Sequence, residues 1–195
     1  MQVQDDKKRD AITRVAAKLF STQPFHKVRL EDVAAEAGVG KGTLYVYFAS
    51  KEDLYYSILF EGFADLVGRV QQHLAASSEC AWQRLQKIVE ELVAYAFQHP
   101  QLFELMRRLR LPREHKGWEE KRRALGRLIT ETIRFGVERG QIADAHPELT
   151  AAFIPGLVRS AMLSKPEELD QQTLIGHIMH LLRDGLTGKK EPDAN

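Results

Sequence analysis

The stretch Val28–Asp53, VRLEDVAAEAGVGKGTLYVYFASKED, decides the fold. Within it Leu30, Val33, Ala34 and Ala37 follow the i, i+3, i+4, i+7 spacing of an amphipathic helix. That pattern stops at Gly38, the residue type suited to a left-handed cap. After Val39 and Gly40 a second short helix is expected from Lys41 to Phe48. Two short helices joined by a glycine-containing turn make a helix-turn-helix, whose second helix can enter the DNA major groove. At about 100° per residue, Leu44 and Phe48 fall on one side of that helix, to pack on its neighbours. Gly42, Thr43 and Val46 fall on the opposite side, and Tyr45 and Tyr47 flank that outer face.

Helical periodicity continues in both directions. Ile12, Val15, Ala16 and Leu19 predict a helix over roughly residues 7–20. Ser50, with Asp53 three positions on, starts a capping-box-like helix. It carries Leu54, Ile58, Leu59, Phe63, Leu66, Val67, Val70 and Leu74 and is expected to reach about residue 75. Further helices are expected over 81–98, 101–110, 118–139, 148–163 and 167–184, with breaks at Ser77–Ser78, Pro100, Pro112, Gly140, Pro147 and Pro166. Pro155-Gly156 should kink or split the segment it interrupts. No alternating strand pattern is found. The fold class is therefore all-α: a three-helix N-terminal module, a larger helical body, and a polar tail over 189–195.

The composition, 44% hydrophobic and 28% charged over 195 residues, is that of a soluble globular protein. No apolar run approaches the length of a membrane span. The charged cluster Asp5 to Asp10 precedes any apolar run, which argues against a secretory signal and for a cytoplasmic protein. Cys80 is the sole cysteine, so no disulfide forms within the chain and no cysteine metal cluster is possible. Net charge is +1, but residues 1–51 hold nine basic and six acidic side chains, a mild local surplus that can serve phosphate binding.

The chemistry of the outer face suits a duplex. Tyrosine hydroxyls can donate to phosphate oxygens while their rings stay packed, which sets register. Lys41 begins the second helix, where side chains reach base edges or phosphate. Thr43 can hydrogen-bond a base or touch a thymine methyl. Gly42 permits close backbone approach, and Lys51 brings charge to the start of a helix, where backbone amides already favour an anion.

Asp32-Val33-Ala34, Ala37-Gly38-Val39, Gly42-Thr43-Leu44-Tyr45, Tyr47-Phe48 and Ser50-Lys51-Glu52-Asp53-Leu54 together resemble the TetR family of transcriptional regulators, over about residues 9–60. The resemblance implies a helix-turn-helix DNA-binding domain at 1–51 and a helical effector-binding and dimerisation domain at 52–188. It places DNA contacts on Lys41, Gly42, Thr43, Tyr45, Tyr47 and Lys51. Arg29 stands where the family often has a capping threonine or serine; an arginine there can reach a phosphate. Tyr47 replaces a frequent histidine and keeps a phosphate donor. The function implied is a homodimeric repressor on a near-palindromic double-stranded operator, released by a small apolar or amphipathic effector.

Aromatic and flexible apolar residues of the body could line the effector cavity: Phe63, Tyr95, Phe97, Phe103, Met106, Trp118, Leu125, Ile129 and Phe135. At helical spacing such residues more often form ordinary core. The run Arg107, Arg108, Arg110, Arg113, His115 and Lys116 could receive an acidic ligand, although such runs are more often solvated loops. The dimer surface is expected on two apolar stripes, Ile154, Leu157, Val158, Ala161 and Met162, and Leu174, Ile178, Leu181 and Leu182; either could instead face its own core.

Competing functions have weaker support. Gly38–Thr43, GVGKGT, lacks the lysine-then-serine/threonine order and the preceding strand of a nucleotide-binding loop. His177 and His180 lie one turn apart, but no HExxH or Glu-x-x-His pattern accompanies any histidine, so no metal or cofactor is expected. An enzyme would need clustered catalytic groups, which are not found. An adaptor using the basic module on an acidic protein partner would leave no footprint on DNA.

Overall fold

A computed structural model of the chain describes residues 2–76, 80–100, 117–164 and 169–186. They form α1 (Gln2–Thr22), a 3-10 turn (Phe25–Lys27), α2 (Leu30–Glu36), α3 (Lys41–Tyr47), α4 (Lys51–Ala76), α5 (Ala81–Gln98), α6 (Trp118–Glu138), α7 (Pro147–Ser164) and α8 (Gln171–Leu186). Among the described residues there is no strand, and no helix is long and apolar enough to cross a membrane. The helix expected over 101–110 and the polar tail over 189–195 lie outside the described residues.

The chain divides into two units, Met1–Gly62 and the residues from Phe63 onward. The division falls inside α4. The reason is packing: Leu54 and Leu59 are fully buried, and Tyr55 meets Phe20 and Phe25 edge-on at 4.8 and 5.4 Å. In that setting burial pushes the Tyr55 phenol far above its ordinary pKa. The core of the N-terminal unit is Ile12, Ala16, Phe20, Val28, Leu30, Val33, Ala34, Leu44, Phe48 and Leu54, with α1, α2 and α3 in mutual contact. Val15 and Leu19, expected on the buried stripe of α1, are only half-buried; Thr13 and Phe20 take their places.

The local signals at the ends of these helices are explicit. Gly38 has φ of 66°, and the amides of Gly38 and Val39 donate to the carbonyls of Ala35 and Ala34. This is the paired-bond stop in which a left-handed residue turns the last amides back onto the helix. Arg29 precedes α2 without a side-chain capping bond, while Glu31 and Asp32 supply negative charge to its first turn. At α4 the Asp53 amide donates to Ser50 Oγ at 3.0 Å, and the Asp53 carboxylate accepts from the amide of Ala49 at 2.9 Å. The reciprocal bond thus lands one residue ahead of the expected position.

In the second unit α5 packs against α6, α7 and α8, and α7 also packs against α6 and α8. Leu85, Ile88, Val89 and Val93 of α5 and Ile129 and Ile133 of α6 are almost wholly buried. The head of α5 is tied to the α6–α7 connection: the Ala81 amide donates to Gln141 Oε1 and Trp82 Nε1 to the Gln141 carbonyl. The approach is close enough that a methyl on Gly136 would come 2.7 Å from Ala81 Cβ. Cys80, half-exposed, precedes α5, and its amide donates to Gln83. Asp170, whose carboxylate accepts from the amide and hydroxyl of Thr173, starts α8 at Gln171, later than the break at Pro166 suggests. Pro155 sits inside α7 without splitting it: the helix is continuous from Pro147 to Ser164.

At Gly38 nothing lies within 4 Å of an added methyl, so an alanine there suffers backbone strain alone. Gly38→Ala should lower folding stability by about 1–2 kcal/mol in urea denaturation, with Gly38→Asn recovering part of the loss.

Candidate functional site

The second helix of the helix-turn-helix owes its orientation to Leu44 and Phe48, which are 0% and 1% exposed. With these two pinned, the rest of α3 turns outward. Val46 is 79% exposed and Tyr45 46%, Gly42 is exposed, and Thr43 and Tyr47 are half-buried. The Tyr47 ring lies 6.5 Å from that of Phe48, so this phenol is supported by the core at one edge. A methyl on Gly42 would meet nothing within 4 Å, and the backbone there has no positive φ. Nothing inside the module therefore requires glycine at this first-turn position, where alanine is the better helix former.

Lys41 is not a bare charge. Its ammonium sits 2.6 Å from a carboxylate oxygen of Glu31, across the turn on α2. The hydrogen bond and the charge of each partner favour the ionised form of the other, so the Lys41 pKa is raised and that of Glu31 is lowered. Glu31 was not singled out by sequence, because a residue on one helix and a residue on the next share no periodic signal. Related pairs join Lys18 to Glu36 at 2.8 Å and Arg9 to Glu61 at 3.1 Å. Part of the module's basic surplus is thus balanced internally. Arg29 is exposed at the start of α2.

Lys51 departs from the expectation of a side chain held out for phosphate. Its Nζ donates to the carbonyls of Phe25 and Val28 at 2.9 and 3.1 Å and lies 4.6 Å from the centre of the Phe25 ring. Two of the three donors of an ammonium are thus engaged within the module. The side chain ties the 3-10 turn and the approach to α2 onto the start of α4.

In the second unit the expected effector-lining residues fall into separate groups. Phe63, Tyr95 and Trp118 are brought together: Phe63 meets Tyr95 edge-on at 5.7 Å and stacks on Trp118 at 5.1 Å. His99 joins them 4.7 Å from Tyr95, and burial lowers the pKa of its imidazole. Leu125 and Ile129 are buried on α6. Phe97 does not share the face of Tyr95, standing about 200° round α5 from it. Phe135 is removed from the cluster, since its ring carries the guanidinium groups of Arg84 and Arg139, 4.3 and 3.8 Å from its centre. Arg84 lies about 16 Å along α5 from Tyr95. Phe103, Met106 and the run Arg107 to Lys116 lie outside the described residues.

The expected apolar stripes of α7 and α8 divide between covered and open positions. Ile154, Val158, Leu174, Ile178 and Leu182 are buried within their own chain, at 0–7% exposure, because they form the core that these helices share with α5. Leu157, Ala161 and Met162 are half-buried and Leu181 is exposed. The apolar side chains that α7 offers to solvent are Leu149 and Phe153, with Leu157 continuing their row at i+4 spacing.

Comparison with known proteins agrees with this arrangement. The family model for bacterial regulatory proteins of the tetR family matches residues 12–58, and that for the tetracyclin repressor-like C-terminal domain matches 78–163. Among curated relatives, the HTH-type transcriptional activator FasR of Mycolicibacterium smegmatis is 33% identical over 85 residues, covering 44% of this chain and 38% of FasR. The HTH-type transcriptional repressor NicS of Pseudomonas putida is 28% identical over 142 residues, covering 71% of this chain and 65% of NicS. The chain thus spans less than two thirds of the length of either relative. The structure of the transcriptional regulator FadR from Bacillus subtilis in complex with stearoyl-CoA superposes with a TM-score of 0.71 at 19% identity, covering 90% of this chain and 97% of FadR. The two family models follow one another in the order in which the helix-turn-helix and the helical body occur here, and the chain belongs to the TetR family, whose members are transcriptional regulators and not enzymes.

Proposed function

We propose that the chain is a sequence-specific regulator that binds double-stranded DNA as a homodimer and represses transcription until a small apolar or amphipathic ligand releases it. The observation that carries the DNA-binding reading is the division of α3 between a buried face, Leu44 and Phe48, and an uncovered one, Gly42, Tyr45 and Val46. Thr43 and Lys41 read or approach base edges, Tyr45 and Tyr47 grip phosphates on either side, and Arg29 adds a phosphate contact. Lys51 contributes by holding the start of α4 in place. Two-fold pairing presents two copies of α3 to a near-palindromic site, with half-sites one helical turn apart. The exposed Leu149 and Phe153, with the half-buried Leu157 in the same row, support a partner surface on α7.

The ligand reading draws on the ring cluster of Phe63, Tyr95 and Trp118 and on FadR, whose structure contains stearoyl-CoA. α4 is 26 residues long, about 39 Å of continuous helix, and carries both Lys51 and Phe63. A ligand that prefers the conformer with mis-spaced recognition helices would lower DNA affinity. NicS is a repressor and FasR an activator, so the sign of control is tested directly by transcription from the bound promoter.

The primary experiment is selection of genomic fragments by the purified protein, which should enrich near-palindromic sequences; failure to retain any duplex at low ionic strength would overturn the reading. On the selected duplex, Thr43→Ala should relax base preference at one position per half-site by about 1–3 kcal/mol and leave binding to unrelated DNA unchanged. Gly42→Ala should act in opposite senses, raising the stability of the free protein by about 0.4–1 kcal/mol while weakening binding to the selected duplex. A saturating long-chain acyl-CoA should reduce affinity for that duplex at least about fivefold in a filter-binding titration.

A further inference from the structure

We propose that Glu31 is a specificity-determining residue: its carboxylate holds the Lys41 ammonium at the head of α3 and withholds that charge from indiscriminate phosphate contacts. The inference rests on the DNA-binding reading above and adds a residue that makes no attractive contact with DNA. Glu31 lies in the first turn of α2 and Lys41 is the first residue of α3, so the pair bridges the two helices of the helix-turn-helix. Both side chains are a little over half exposed, which leaves the pair open to competition from a phosphate.

Affinity for arbitrary DNA comes from neutralised phosphates and the counterions they release, each contact adding about 0.9 to the slope of log affinity against log salt. A lysine already neutralised by its own carboxylate adds little to that sum. On the selected site the position of α3 is fixed by several contacts at once, and Lys41 acts from where Glu31 holds it. Glu31 therefore suppresses binding to bulk DNA more than binding to the operator. A carboxylate at the edge of a DNA-binding surface is costly for affinity, and here its return is discrimination.

The test compares the unaltered protein with Glu31→Gln on two probes, a duplex enriched from a random-sequence pool by the unaltered protein and a duplex of scrambled sequence. Each is titrated from about 50 to 200 mM salt, the range over which counterion release is read. Glu31→Gln should tighten scrambled-duplex binding by about threefold to tenfold at the low-salt end and steepen its salt slope by about two, one for the Lys41 of each copy in the proposed dimer. The enriched duplex should gain less, so that the ratio between the two falls. In a Lys41→Gln background the substitution should have no effect on either slope, and Glu31→Asp should restore the original ratio. Equal gains on both probes, an unchanged slope, or a gain that persists without Lys41 would each overturn the proposal, the last by showing simple repulsion between Glu31 and phosphate. If the unaltered protein binds neither probe, the DNA-binding reading itself has failed; binding by the unaltered protein with no response to Glu31→Gln refutes the Glu31 role alone.

Discussion

α3 has seven residues, too few for a helix to persist in water by its own hydrogen bonds. It exists because Leu44 and Phe48, one turn apart, are driven into the core formed by α1, α2 and the start of α4. That constraint settles everything presented outward, since fixing Leu44 within the helix and Phe48 just past its end fixes the direction of the other six helical residues. The Gly38 turn and the Lys51 bonds serve the same end from either side. One sets where α3 begins, and the other anchors the segment ahead of α2 to the helix that follows α3.

The electrostatics of this module are more restrained than a count of lysines suggests. Lys18 and Lys41 each lean on a glutamate of α2, and Arg9 on Glu61. Ion pairs of this exposure add little to folding. Their influence lies in which charges are available to a polyanion. Charge that is present in the composition but already answered within the fold is a different quantity from charge on offer.

Much of the architecture was legible because helices write their own periodicity. The bounds of α5 coincide with the expected 81–98, and those of α6 and α7 differ from expectation by a single residue at an end. Gly38 was readable as a cap because only one backbone conformation suits that place. The outer face of α3 followed from helical angle alone. What escaped was everything that depends on contact between elements. Lys51 and Glu31 find their partners across loops. Ile154 and Ile178 could not be assigned to a partner surface or to their own core by spacing, since an apolar stripe reads the same in both cases; the structure puts them in the core. Phe135 looked like pocket lining from its type, but the guanidinium groups of two arginines from different segments lie against its ring. Pro155 was expected to kink or split its helix; it does not split it, and α7, which packs against α5, α6 and α8, runs through the position where the backbone bond is lost.

The lone thiol has a practical consequence. Cys80 is half-exposed where α5 starts, and its backbone amide is already committed to Gln83. A nitroxide or fluorophore attached at that sulfur would mark each copy of the chain once, without introducing a second cysteine. In a pair of the kind proposed above, dipolar coupling between two such labels would report the separation of the copies directly, with one distance per pair.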